Sequence, residues 1–137
     1  MRVVADTNIV VSGLLWFGNP RRVLEAARDG TIDLYTSGVL LDELEDVLGR
    51  YKFASRLQVA GVTVRELVIG YASLAQVIDP EEIKPVVIVD RDFDAVVAWA
   101  ISSQSEFIVS GDSHLLMLRH FQHIRVLSAI ELINEIS

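Results

Sequence analysis

The sequence predicts an α/β fold in which a parallel sheet is covered on both faces by helices. Three observations lead there. Six short apolar segments recur along the chain, helical patterns with readable ends lie between them, and acidic residues stand directly after two of the apolar runs. Strands that are apolar on both faces belong to sheets buried on both sides.

The first strand is expected at Arg2–Ala5, the second at Ile32–Tyr35 and the third at Gln76–Ile78. Val86–Val89, Glu106–Ser110 and Ile124–Leu127 complete the set. Asn19-Pro20 reads as a helix cap followed by proline at the first helical position, and Asp29-Gly30 closes that helix. Ser37 opens the next helix, and Gly49 falls near its end. Thr63 with Glu66, and Ser128 with Glu131, have capping-box spacing and predict helices over Val64–Ser73 and Ala129–Ile136. The polar run Asp79-Pro80-Glu81-Glu82 reads as a surface loop. No repeat or linker interrupts the pattern, so residues 1–137 are expected to form a single domain.

Composition removes several function classes. The chain is 51% hydrophobic, which excludes a disordered segment. Its longest apolar run, Ala95 to Ile101, is far short of the roughly 18 residues that cross a bilayer. The opening apolar stretch is broken by Asp6, so no secretory leader is expected, and no membrane role. Absence of cysteine excludes disulfides and thiolate metal sites and fits a cytoplasmic protein. A net charge of −7 opposes broad contact with a phosphate backbone. Arg21, Arg22, Arg50, Lys52, Arg56, Arg119 and Arg125 are then the candidates for a local basic rim.

Four acids carry the functional argument: Asp6, Glu43, Asp94 and Asp112. Asp6 and Asp112 each follow a predicted strand, the edge where open α/β sheets bind ligands. Each taken alone reads more readily as an ordinary strand-to-helix turn, and the case rests on the constellation. Glu43 falls at about 40° from Val39 on a helical wheel, between Val39 and Val47, and is expected to face inward. A carboxylate turned inward is costly unless it is paired or binds a cation. An acid on the flank of the stripe, paired with an arginine, is the plainer reading. Asp94 opens the segment Asp94–Ile101, apolar around its circumference, and is expected to face protein. Asp at a helix start is also a common cap, but Asp90, Asp92 and Asp94 cannot all be caps. Crowded carboxylates repel, and a hard divalent cation relieves them, which points to metal-assisted phosphodiester hydrolysis.

His114, His120 and His123 lack ligand spacing and are expected on the solvated surface, although His114 is near the proposed pocket. Trp16, Phe17 and Trp99 are expected in the core or an interface rather than stacked on bases. No phosphate-binding loop, nucleophile elbow or zinc-protease helix motif occurs.

In four stretches the chain resembles the PIN-domain ribonucleases, and more narrowly the VapC-like toxins of toxin–antitoxin pairs. They are Val3–Asn8, Ser37–Leu48, Asp90–Ala100 and Phe107–Leu116. The resemblance implies a three-layer α/β/α sandwich around a central parallel sheet. It also implies an endoribonuclease dependent on Mg²⁺ or Mn²⁺. Asp6, Glu43 and Asp112 match acids of the motif. The third acid is assigned to Asp94 by its distance from the following alanines, with Asp92 as the alternative because Phe93 separates the two. Asn8 matches a polar position near the metal, and Ser110 replaces a more usual threonine while keeping the hydroxyl. RNA as substrate, a small antitoxin as partner and a homodimer follow from the same resemblance.

Two other classes compete. A receiver-like signalling module would need paired acids after the first strand and a lysine after a late one, whereas Lys84 sits in the predicted loop. A PIN fold kept as an inactive binding module would not need all four acidic positions filled.

Overall fold

The computed structural model describes residues 1–78, Ala100 and 104–137. The predicted strand Val86–Val89, the acids Asp90, Asp92 and Asp94, and Trp99 lie outside the described residues.

The chain opens with β1 (Arg2–Ala5), α1 (Thr7–Leu15) and α2 (Asn19–Arg28). Next come β2 (Asp33–Thr36), α3 (Gly38–Leu48), a 3₁₀ turn (Tyr51–Phe53), α4 (Ala54–Ala60), α5 (Val64–Leu74) and β3 (Gln76–Val77). The C-terminal part holds β4 (Phe107–Val109), α6 (Ser113–Leu118), β5 (His120–Phe121), β6 (Ile124–Leu127) and α7 (Ala129–Ile136).

The strands form one sheet in the order β3-β2-β1-β4-β6-β5. All neighbours are parallel except β5 and β6, which pair antiparallel. The expected parallel sheet therefore carries an antiparallel edge hairpin. From β1 the sheet grows through β2 to β3 on one side, and then through β4 and β6 on the other. The direction of winding thus reverses between β1 and β4, which makes their carboxyl ends the switch point where such sheets bind ligands.

Alternation along the strands divides the interior in two. Val3, Ala5, Phe107 and Val109 pack with α1, α2, α5 and α7 in one cluster. Val4, Ile108, Ile124 and Val126 join Leu115 of α6 and Ala100 in another. These two cores on opposite sheet faces give the three layers, since successive strand side chains point to opposite faces.

The local punctuation explains where the helices start. The Ser37 hydroxyl accepts from Leu40 N at 3.2 Å at the head of α3. Thr63 and Ser128 both complete reciprocal capping boxes with Glu66 and Glu131. At α2 the cap is Gly18 rather than Asn19, which is already helical. Gly18 adopts φ +137°, a turn open to glycine, and Pro20 then fixes the first helical residues.

Two expectations about orientation are corrected. Glu43 does not face inward: it is exposed, and Val39 beside it is 63% exposed. The buried stripe of α3 runs through Leu40, Leu44, Val47 and Leu48, and Glu43 lies on its flank. Of the two places expected for Trp16 and Phe17, core or interface, the core is excluded, since they are 42% and 84% exposed. They follow the last turn of α1, in the connection to α2.

Candidate active site

β1 ends at Ala5, and the next residue is held against β4. Asp6 N donates to Val109 O at 2.9 Å, extending the strand pairing by one residue beyond Ala5. Asp6 occupies the cap position of α1 in extended geometry, yet its side chain makes no capping bond. The ordinary turn reading for this acid therefore does not hold. Its Oδ2 instead accepts from Ser110 Oγ at 2.8 Å.

Ser110 is wholly buried at the end of β4 and joins two acids. Its hydroxyl donates to Asp6 and accepts from Asp112 N at 3.0 Å. Its own N–H donates to Leu127 O at 3.0 Å, which fixes the turn against β6. Asp112, one turn residue beyond Gly111, is exposed, and its Oδ1 accepts from His114 N at 2.7 Å. The ordinary turn reading therefore holds in part for Asp112, which caps α6. Its other carboxylate oxygen points to no protein donor among the described residues.

The result is a short polar string, Asp6–Ser110–Asp112, spanning the carboxyl ends of β1 and β4. Asp6 is half-buried, Asn8 is exposed in the first turn of α1, and His114 is exposed beside Asp112. Every polar side chain of the string offers oxygen, the donor chemistry of hard divalent cations.

Glu43 stands apart from the string. α3 starts at the same rim, because β2 pairs with β1 in parallel register and Ser37 directly follows β2. Glu43 is six residues past Ser37, about 9 Å along the helix axis. Among the described residues, no three His, Cys, Asp or Glu side chains are grouped closely enough to hold a metal ion. The structure thus brings Asp6, Ser110 and Asp112 together, places Glu43 on the rim's flank, and leaves Asp92 and Asp94 outside the described residues.

The comparison with protein families decides the lineage: the PIN-domain model matches residues 2–114. The chain belongs to the PIN-domain family. The match spans β1 through the first turn of α6, so it takes in Asp6, Glu43, Ser110 and Asp112. No curated protein matches the chain.

Among solved structures, this PIN domain is similar to a chain in the crystal structure of VapBC2 from Rickettsia felis bound to a DNA fragment from their promoter. The TM-score is 0.59 at 15% identity, over 92% of this chain and 97% of that one. At that identity the likeness is one of fold, and it agrees with the three-layer architecture described above.

Proposed function

We propose that this PIN domain is a metal-dependent endoribonuclease that hydrolyses RNA phosphodiester bonds, and that it serves as the toxin of a toxin–antitoxin pair. The observation that carries the reading is the Asp6 carboxylate. It lies at the sheet's switch point, declines the helix cap beside it, and is oriented by a buried hydroxyl that also fixes the turn of Asp112. A carboxylate held in this way is arranged for a ligand rather than for its own helix.

The donor set fits Mg²⁺ or Mn²⁺. It consists of carboxylates and a hydroxyl in a chain without cysteine, so nothing in it selects a softer ion. In this reading Asp6, Asp112 and Asp94 hold the cation, with Asp92 the alternative to Asp94 and Glu43 completing the set from α3. When bound, the ion supplies charge neutralisation at the phosphoryl oxygens and a more acidic water. Ser110 keeps the Asp6 carboxylate oriented, and Asn8, exposed in the first turn of α1, would bind water or phosphate oxygen. Asp112 holds the start of α6 while leaving one oxygen for the ligand.

The likeness to a chain of a VapBC2 assembly supports a small antitoxin partner. Such a partner would insert a basic side chain into the acidic rim, and co-purification with a neighbour-encoded protein tests this. A homodimer and a cytoplasmic location belong to the same proposal. Among the described residues no helix is long and apolar enough to cross a membrane.

A PIN fold retained for binding alone is the rival, favoured by the capping bond that occupies one Asp112 oxygen. Cleavage of RNA by wild type and Asp6→Asn, with and without Mg²⁺ or Mn²⁺, separates the two. Metal-dependent cleavage lost in the variant supports the nuclease; cleavage at wild-type rate by Asp6→Asn, with contaminating nuclease excluded, refutes the site.

A further inference from the structure

At the end of α1 farthest from Asp6, three cations lie over three aromatic rings. Arg21 Cζ is 4.5 Å from the Phe17 ring centroid, Arg56 Cζ is 5.7 Å from that of Trp16, and Lys52 Nζ is 5.1 Å from that of Phe53. Trp16 and Phe53 meet edge to face with centroids 6.1 Å apart, so the Arg56 and Lys52 pairs are continuous. Both arginines are anchored. Arg56 Nε donates to Leu15 O at 2.7 Å, while Arg21 Nε and Nη2 donate to Gly13 O and Leu14 O at 3.1 and 3.2 Å. The last carbonyls of α1, its electronegative end, thus fix the guanidinium groups against the rings.

This ladder is exposed, and its cations form no ion pair among the described residues, although Arg21 shares a cleft with Glu25 and Glu66. Phe17 is 84% exposed, and Tyr51, next to Lys52, is 94% exposed. Residues 7–24 and 47–60, which meet here, contain no Asp or Glu, although the whole chain has a net charge of −7. The described ion pairs are Met1–Asp33, Arg50–Asp46 and Arg125–Glu135, so Arg21, Lys52 and Arg56 have no carboxylate partner among the described residues. Of the other basic candidates, Arg50 and Arg125 are ion-paired, with Asp46 and Glu135, whereas Arg22 and Arg119 form no ion pair among the described residues but lie outside the ladder.

We infer that this aromatic–cation ladder is a docking surface for single-stranded RNA, an inference that rests on the nuclease reading above. Bases stack on the free ring faces and phosphates meet the cations, the pairing by which proteins hold single strands without reading their sequence. Duplex RNA hides its base faces and is not accommodated in this way. α1 has nine residues and separates the ladder from Asp6 by about 14 Å. The surface therefore grips the strand away from the scissile bond and lets an acidic protein retain a substrate that its overall charge repels.

The test is fluorescence anisotropy with a fluorescein-labelled 12-nucleotide single-stranded RNA and the full chain in EDTA, so that binding is read without cleavage. Phe17→Ala is expected to weaken binding roughly ten-fold. Lys52→Glu is expected to weaken it and to flatten the salt dependence by about 0.7 in log–log slope. Arg65→Glu, an exposed charge on α5, leaves both unchanged. Wild-type affinity in both Phe17→Ala and Lys52→Glu overturns the surface, as does tighter binding of polyglutamate than of RNA, which would mark an acidic protein partner instead. Lys52 makes no hydrogen bond or ion pair among the described residues, so its variant reports on binding even where Phe17→Ala disturbs Arg21. Cleavage by the wild type with both variants binding normally removes the ladder and keeps the nuclease. Weakened binding by the variants with no cleavage by the wild type removes the nuclease and keeps an RNA-binding surface.

Discussion

Ser110 Oγ donates to Asp6 Oδ2 at 2.8 Å across a sequence separation of 104 residues. The same hydroxyl accepts from Asp112 N, so removing it frees one carboxylate and orphans one backbone donor. Groups that orient metal-binding side chains typically contribute 10- to 100-fold to metal affinity or activity. Ser110→Ala is expected to raise the half-saturating Mg²⁺ concentration of RNA cleavage by about that factor, and Ser110→Thr to restore it. Initial rates measured across a metal titration check this; an unchanged titration in Ser110→Ala would show that Asp6 is positioned without it.

Asp112 has two separable duties. Its Oδ1 caps α6, a role that asparagine performs as well as aspartate. Asp112→Asn is therefore expected to keep the melting temperature close to wild type while losing cleavage. Asp112→Ala should lose cleavage and also about 1 kcal/mol of stability. Parallel denaturant titrations and cleavage assays separate the two; equal loss of stability in both variants would contradict the capping role.

The approach of α1 to α2 depends on Gly13. A β-carbon there would lie 2.8 Å from Leu24 Cδ1 and 2.9 Å from Pro20 O. Leu24 can turn aside, but a backbone carbonyl cannot do so without moving α2. Gly13→Ala is expected to cost about 1–3 kcal/mol, because overpacking outweighs the gain in helix propensity. Urea unfolding measures it, and a stability equal to wild type would mean that the two helices slide apart freely.

Tyr71 supplies a pH dependence. Burial pushes its phenol well above the ordinary value of 10.0. A folded-state value above the unfolded one contributes stability that is complete below about pH 10 and is lost as pH rises beyond it. Its hydroxyl makes no hydrogen bond among the described residues, so Phe should be tolerated at neutral pH. Tyr71→Phe is expected to match or exceed wild-type stability at pH 7 and to flatten the decline above pH 10. Thermal melts from pH 7 to 11 test this, and an unchanged alkaline slope would rule Tyr71 out as its cause.

Local chemistry was the legible part of this sequence. Capping at Ser37, Thr63 and Ser128 depends on residues three apart, so the spacing alone locates those helix starts. β1 and β6 occur at their expected bounds because their apolar runs are ended by Asp6 and Ser128. Orientation was harder to read. A helical wheel gives the angle between Val39 and Glu43 but not which arc the neighbouring elements cover; α1 and α5 pack on α3, and the arc through Leu40, Leu44, Val47 and Leu48 is the buried one. β5 has two residues and pairs at the edge, too short to show any alternation. Trp16 and Phe17 were expected in the core or an interface, and the core half of that reading fails because both stand at the surface beside cations anchored on α1. Asp6 and Asp112 were legible as strand-end acids, but the serine hydroxyl that links them follows from β1 pairing with β4, which no local pattern states.

That pairing also governs when the protein acquires its chemistry. A chain leaving the ribosome presents Asp6 before Ser110, which follows it by 104 residues, and before Asp112. Incomplete products would hold an unsupported acid and no partner for it. Under the proposed activity, a chain stopped before Ser110 would lack the hydroxyl that orients Asp6.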